Sequence, residues 1–268
     1  MIDKGKHNVL GVLVDAVDYD ASVDRIRTAA LAGAGYSVSA LAVHGVMTGV
    51  DDDEHRYRLN HLDLVTPDGQ PVRWALRWIG GPPLPDRVYG PELTLRVCEM
   101  ARDNNLSIFL YGSTPDVLAR LSQNLQERFP GLTIAGTESS RFGSTSEAEQ
   151  REIAARIRAS GAAITFAGLG CPRQEVFAYE YRDLLEMPVL AVGAAFDYHA
   201  GLLKEPPRWV QRGGMQWSYR LLQDPKRLWY RYTVLNARYL SKVLMQRLKL
   251  RSYDTDGPVA VPKPLRHG

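Results

Sequence analysis

The sequence predicts an α/β fold: a Rossmann-like, mostly parallel sheet flanked by helices, with a basic C-terminal helical appendage. Three observations predict it. Short, nearly continuous apolar runs bounded by glycine read as strands buried on both faces. These runs alternate with amphipathic stretches, the order expected of a parallel sheet covered by helices. Finally, residues 204–251 hold 12 of the 33 Lys and Arg residues, against only Glu205 and Asp224.

Taken along the chain, strands are expected near 8–17 (NVLGVLVDAV), 36–43 (YSVSALAV), 62–65, 107–112 (SIFLYG), 132–137, 163–168 and 188–194. Amphipathic helices are expected near 21–33, 70–79, 91–103, 115–128, 146–159 and 173–185. The clearest βαβ unit is SIFLYG-STPDVLARLSQNLQERFPG-LTIAGT. Ser113 or Thr114 can cap its helix, and Pro115 suits the first turn. Pro130-Gly131 ends that helix, and the next strand follows at once. Gly112, Gly136, Gly168, Gly170 and Gly193 fall at the carboxyl ends of expected strands, where open α/β sheets bind ligands. A rim of glycines and helix amino termini suits phosphate, because backbone N–H groups point outward there.

The last helix is expected over about 225–250. Arg227, Arg231, Arg238, Lys242 and Lys249 form one stripe, and Leu228, Tyr232, Leu235, Tyr239 and Val243 the neighbouring one. The domains are then 1–203, the α/β body; 204–251, the appendage; and 252–268, a disordered tail. The body is acidic, with 19 Lys and Arg against 26 Asp and Glu. Three of the five tryptophans, Trp209, Trp217 and Trp229, lie in the appendage. Basic and aromatic composition fits a membrane interface or nucleic acid, and equally a solvated helix packing on the body.

Composition narrows the class further. Apolar residues at 45% and charged residues at 24% are ordinary for a soluble globular chain, which excludes collagen, coiled coil and wholesale disorder. Only Cys98 and Cys171 are present, too few for a disulfide scaffold, and a reducing compartment is expected. The opening residues do not read as a signal peptide, because acids interrupt their apolar run. No stretch approaches the roughly 18 consecutive apolar residues of a membrane span.

Several chemistries lack their motifs. Gly168-Leu169-Gly170-Cys171-Pro172-Arg173 begins like a dinucleotide fingerprint, but Arg173 stands where the third glycine belongs. A P-loop lysine, paired zinc cysteines, HExxH and the G-x-S-x-G elbow are missing. Asp51-Asp52-Asp53-Glu54 contains D-x-D, which can hold a divalent ion, yet acids before a helix more often complement its amino terminus. Asp68, in Val65-Thr66-Pro67-Asp68-Gly69-Gln70-Pro71, lies between a strand and a helix; it is either a rim carboxylate or a helix-capping turn residue. His44 also reaches a strand end. Arg87, in Leu84-Pro85-Asp86-Arg87-Val88-Tyr89-Gly90, could hold a phosphate or pair with Asp86.

Seven phrases together resemble the WecG/TagA/CpsF family of bacterial glycosyltransferases, family 26. They are Thr66-Pro67-Asp68-Gly69; Leu84 to Gly90; Ile108-Phe109-Leu110-Tyr111-Gly112; Gly168 to Arg173 with Gln174-Glu175; Val192-Gly193-Ala194-Ala195-Phe196-Asp197-Tyr198-His199-Ala200-Gly201; Pro206-Pro207-Arg208-Trp209; and Tyr219-Arg220-Leu221-Leu222-Gln223-Asp224-Pro225-Lys226-Arg227. Their order matches the family over about 36–231.

The resemblance implies an inverting, metal-independent enzyme that needs no cofactor. It implies a UDP-sugar donor, often of N-acetylmannosamine, and a sugar on polyprenyl diphosphate as acceptor. The products feed teichoic acid linkage units, enterobacterial common antigen and exopolysaccharides. Residues 1–203 become the nucleotide-sugar-binding catalytic domain, and the appendage meets the anionic inner face of the plasma membrane. Nucleic acid is not an expected partner, and a homo-oligomer is compatible with the sequence.

Asp68 matches the presumed general base, with His44 second. Arg87 matches an active-site arginine, and Gln174 the glutamine of P-x-Q-E. Gly69, Gly90, Gly112, Ser113, Thr114, Gly136, Gly168, Gly170, Pro172, Glu175, Gly193, Phe196 and Asp197 complete the expected substrate site. Backbone N–H groups over 112–114 and 170–173, with Arg87, are candidates to stabilise the departing UDP. Arg208, Arg212, Arg220, Arg227 and Arg231 are expected at the membrane or acceptor. Where the family usually reads T-x-N, this chain has Ala42-Val43-His44, which leaves glucose or another hexose open as donor. The alternative is a non-catalytic nucleotide-sugar-binding or nucleic-acid-binding protein.

Overall fold

Six parallel strands in the order β4-β3-β9-β8-β5-β6 form the centre of the molecule. They are β3 (Tyr36–Leu41), β4 (Leu64–Pro67), β5 (Ile108–Gly112), β6 (Ile134–Glu138), β8 (Ile164–Gly168) and β9 (Pro188–Ala191). The structure is a computed structural model that describes residues 1–140, 143–204, 219, 221–222, 225–260 and 266–267. Two short antiparallel pairs accompany the sheet: β1 (Asp3–Val9) with β2 (Val12–Val17), and β7 (Gly143–Ser144) with β10 (Arg266–His267).

Alternation along the strands explains the layers. Ile108, Leu110, Ile164, Phe166 and Leu190 face one core. Phe109, Tyr111, Ala167, Val189 and Ala191 face the other. A period of two that is apolar on both faces demands cover on both. Helices α1 (Tyr19–Leu31), α5 (Gly90–Asp103) and α6 (Pro115–Arg128), with the short α9 (Ala195–His199), bury apolar residues in the first core. The second takes α2 (Val43–Asp51), α3 (Asp53–Asn60), α4 (Gln70–Trp78), α7 (Glu147–Ala159) and α8 (Arg173–Leu185). The expected fold class is therefore the observed one.

Two expected elements differ, and two helices are additional. The single strand over 8–17 is a hairpin, because Leu10 and Gly11 both take positive φ (58° and 90°) and reverse the chain. Asp15 on β2 then reaches across to accept the Val65 N–H of β4 at 2.7 Å. The strand expected over 36–43 ends at Leu41, and His44, expected just past the strand end, lies in the first turn of α2. Helices α2 and α3 were not expected. Gly45 and Gly49 obscure the apolar period of the first, and they are there for close packing: a Cβ on Gly45 would stand 2.3 Å from Leu41 Cδ1. Helix α3, DEHRYRLN, is almost wholly polar.

The acidic run is divided among structural tasks. Asp52 caps α3 by accepting the His55 N–H at 3.0 Å. Asp53 pairs with Arg56, and Asp51 with Arg238.

The C-terminal helix comprises α10 (Pro225–Tyr230), a π-helical turn (Arg231–Leu235) and α11 (Asn236–Arg247). Its stripe of Leu228, Leu235, Tyr239 and Val243 is buried against the body. The outward apolar residues are a different set: Trp229, Tyr230, Val234, Leu240, Leu244, Met245 and Leu248. Where a disordered tail is expected, residues 252–260 lie along the body. The Tyr253 and Thr255 carbonyls accept from the side-chain amides of Asn8 and Asn60.

Candidate active site

A cavity of about 440 Å³ opens across the carboxyl ends of five strands. The end of β3 and the start of α2 contribute Ala40, Ala42 and His44; β4 contributes Asp68; β5, Ser113; β8, Gly168 to Cys171; β9, Val192 to Ala194. This is the edge where open parallel sheets bind ligands.

Asp68 follows β4 directly. Its backbone N–H donates to the Leu41 carbonyl at 3.2 Å, and the Val88 N–H donates to that of Pro67 at 3.1 Å, so β3, β4 and the 86–90 segment fix its position together. Its Oδ2 accepts the Gly90 N–H at 3.3 Å. Gly69, the next residue, takes φ +92° and begins α4, which frees the aspartate from being the helix cap.

Arg87 is buried behind this wall, with its guanidinium 4.2 Å from the centre of the Tyr89 ring. Asp86 accepts instead from the Arg87 backbone N–H and from Gln70 Nε2. Tyr89 meets Tyr198 edge to face, and burial pushes the Tyr89 hydroxyl well above its usual range.

The opposite wall is the turn into α8. Arg173 begins the helix and faces the cavity, bringing a cation to a helix amino terminus. Gln174 and Glu175 are buried, and Gln174 Nε2 donates to Glu175 Oε1 at 2.9 Å. Ser39 on β3 donates to the same oxygen at 3.3 Å. Burial pushes the Glu175 carboxyl above the usual carboxylate range. Gly193, at φ +56°, leaves room for Gln174: a Cβ there would stand 3.1 Å from Gln174 Oε1. Gly168 does the same for Phe196, whose ring lies 2.5 Å from where a Cβ would be.

The expected residues divide accordingly. Asp68, His44, Ser113, Gly168, Gly170, Gln174, Glu175, Gly193, Phe196 and Asp197 all line the cavity. Thr114 caps α6 by accepting the Val117 N–H. Gly112 permits close approach of β5 to β8, its would-be Cβ 2.8 Å from the Gly168 carbonyl. Gly136 packs on Phe109, away from the cavity. Gly90 serves through its N–H, and Pro172 forms the N-cap of α8. Arg208, Arg212 and Arg220 lie outside the described residues, as do the side chains of Arg227 and Arg231.

Sequence reasoning missed Tyr89 and Tyr198 as lining residues, and took Cys171 and Arg173 only for their backbone N–H groups. All four stand inside the phrases quoted above, so proximity to those phrases was the available signal. It also missed a cluster at the α8 wall of the cavity. His55, Cys171 and Glu175 bring potential metal-ligand atoms within 4.8 Å of one another. Burial pushes the His55 imidazole down to about 4, so it is neutral at pH 7.

Fold and site define an open-sheet α/β protein of Rossmann-like type, with a glycine-lined cavity and an aspartate on its wall. Residues 7–253 match the model of the Glycosyl transferase WecG/TagA/CpsF family, and the chain belongs to that family. Over 187 residues it is 33% identical to the N-acetylglucosaminyldiphosphoundecaprenol N-acetyl-beta-D-mannosaminyltransferase of Bacillus spizizenii strain W23, covering 69% of this chain and 70% of that protein. Over 220 residues it is 26% identical to the enzyme of the same name from Bacillus subtilis strain 168, covering 82% and 83% of the two chains.

Proposed function

We propose that the protein transfers a hexose or N-acetylhexosamine, of the N-acetylmannosamine type or glucose, from a UDP-sugar to a sugar on polyprenyl diphosphate. The observation that carries this reading is the Asp68 carboxylate on the cavity wall, oriented by the Gly90 N–H. Asp68 takes the proton of an acceptor hydroxyl. The freed oxygen forms a bond to the anomeric carbon as the bond from that carbon to the diphosphate breaks on the opposite face. One displacement inverts the configuration, and UDP leaves with the electron pair.

Charge that develops on UDP needs donors already in place. Arg173, at the amino terminus of α8, and the backbone around Gly170 and Ser113 supply a site of suitable sign. The diphosphate then needs no metal bridge. His44, on the β3 side, is suited to orient the acceptor.

The acceptor lipid stays in the bilayer, so the enzyme must come to it. Among the described residues no helix is long and apolar enough to cross a membrane. The outward apolar face of the C-terminal helix and the exposed Trp74 and Trp78 of α4, which packs against that helix, support docking at the inner face of the plasma membrane. The test is a panel of UDP-sugars offered with short-chain polyprenyl-diphosphate sugars and read by product mass. A lipid-linked product one sugar heavier, with UDP released, supports the proposal; UDP-sugar binding without transfer to any acceptor overturns it.

A further inference from the structure

His55, Cys171 and Glu175 take no part in the proton and sugar transfer. His55 on α3 and Glu175 on α8 are 3% and 1% exposed, and Cys171 lies on the turn after β8. His55 Nε2 is buried with no hydrogen-bond partner. Glu175 Oε1 accepts from Ser39 and Gln174, and Cys171 and the residue's own backbone also bond the carboxyl, while Oε2 is buried with no partner within hydrogen-bond geometry. A buried imidazole nitrogen and a buried carboxylate oxygen left in this state are costly unless something binds them. His44 adds a fourth group: its Nδ1 lies 3.4 Å from Cys171 Sγ, and the ring is close enough to His55 for their charges to interact.

We propose that His44, His55, Cys171 and Glu175 form a closed binding site for a divalent transition-metal ion of the zinc class. Mixed nitrogen, sulfur and carboxylate ligands suit that class. The charges also balance: one thiolate and one carboxylate neutralise a divalent cation, and two neutral imidazoles complete four ligands. Four protein ligands fill a tetrahedral shell, so no position remains for the donor diphosphate. The ion is structural. It joins the start of α2, the first turn of α3 and the β8–α8 turn, and so holds the 168–173 turn that faces the donor. A ligating His44 would not orient the acceptor, whereas the Asp68 step is unaffected; the readout here is metal binding, not turnover.

The test uses the full chain, reduced and stripped with chelator, then titrated with cobalt(II) and back-titrated with zinc. One equivalent of cobalt should produce sulfur-to-cobalt charge-transfer absorption and the intense visible bands of tetrahedral cobalt, both erased by zinc. Zinc should also raise the thermal midpoint, because it binds only the folded state. Cys171→Ser, nearly isosteric and on a partly exposed turn, should abolish the charge-transfer band. His55→Gln should keep the band and weaken zinc by more than the roughly 10- to 100-fold typical of losing an outer-shell partner. No stoichiometric cobalt binding to the wild-type chain, or an unaltered spectrum in Cys171→Ser, overturns the proposal.

Discussion

The Gly90 N–H donates to Asp68 Oδ2 across 3.3 Å, which ties the carboxyl end of β4 to the first turn of α5. The bond holds the carboxylate on the cavity wall. In Asp68→Asn the amide oxygen can still accept from Gly90, so the geometry persists while the charge is lost. Turnover should fall roughly 100- to 10,000-fold, the usual contribution of a general base, with UDP-sugar affinity changed only a few-fold. Single-turnover rates beside equilibrium donor binding check this. Near wild-type turnover would remove Asp68 from the role.

Gly168→Ala tests how tightly the cavity floor is packed. The new methyl would meet the Phe196 ring at 2.5–2.9 Å, and that ring is 2% exposed, on the cavity wall. Overpacking of this kind costs about 1–3 kcal/mol. The thermal midpoint should drop by several degrees, and donor affinity should weaken because Phe196 is displaced toward the cavity. An unchanged midpoint would show that the ring can move freely.

Legibility in the sequence followed physical locality. The β5–α6–β6 unit was readable because Thr114, Pro115 and Gly131 are local signals and the apolar period is clean. Asp68 and the 168–175 phrase were readable because strand ends place their side chains on one rim. Helices α2 and α3 were not, since packing glycines break the period of one and the other is polar. The apolar stripe of the C-terminal helix was found but what it covers was left open; its burial against the body depends on tertiary contacts that periodicity does not encode. The His44, His55, Cys171 and Glu175 grouping was invisible for the same reason. It joins His44 and His55 to Cys171 and Glu175, two pairs more than 100 positions apart in the chain.

Burial, not charge, should hold the C-terminal helix to the body. Arg238 and Asp51 form a two-pronged pair at 2.5 and 2.6 Å, but both are about 45% exposed, and such pairs contribute about 0.2–1 kcal/mol. Tyr239 is fully buried among apolar neighbours. Loss of a large buried side chain costs about 3–5 kcal/mol. Asp51→Ala should therefore leave the helix resistant to limited proteolysis, and Tyr239→Ala should release it. Equal susceptibility of the two variants would count against this division.

The outward aromatics should govern membrane affinity. Trp74 and Trp78 lie one helical turn apart on α4, stacked with ring centres 6.5 Å apart and about 40% exposed. Replacing both with Ala should weaken sedimentation with anionic vesicles without changing the thermal midpoint appreciably, and a chain ending before Pro225 should lose vesicle binding. Unchanged sedimentation of both proteins would reject the docking surface.

His55 makes a pH prediction whose sign follows from its burial. Desolvation lowers its folded pKa from 6.5 to about 4; Asp52 opposes this, whereas Arg58 and His44 reinforce it. Between about pH 4 and 6.5 the unfolded chain therefore binds more protons at this site than the folded chain. Stability must rise with pH through that window and fall on acidification, by about 3 kcal/mol at full development for a group so deeply buried. Glu175 acts in the other direction, because its raised folded pKa lets the folded chain hold a proton that the unfolded chain releases above about 4.5. The wild-type slope alone is thus a difference of two effects, and His55→Gln separates them. Urea unfolding in chelator at pH 4.5, 5.5 and 6.5 should show a steeper acid loss in wild type than in the variant. Parallel slopes would mean that His55 is not held neutral in the folded chain.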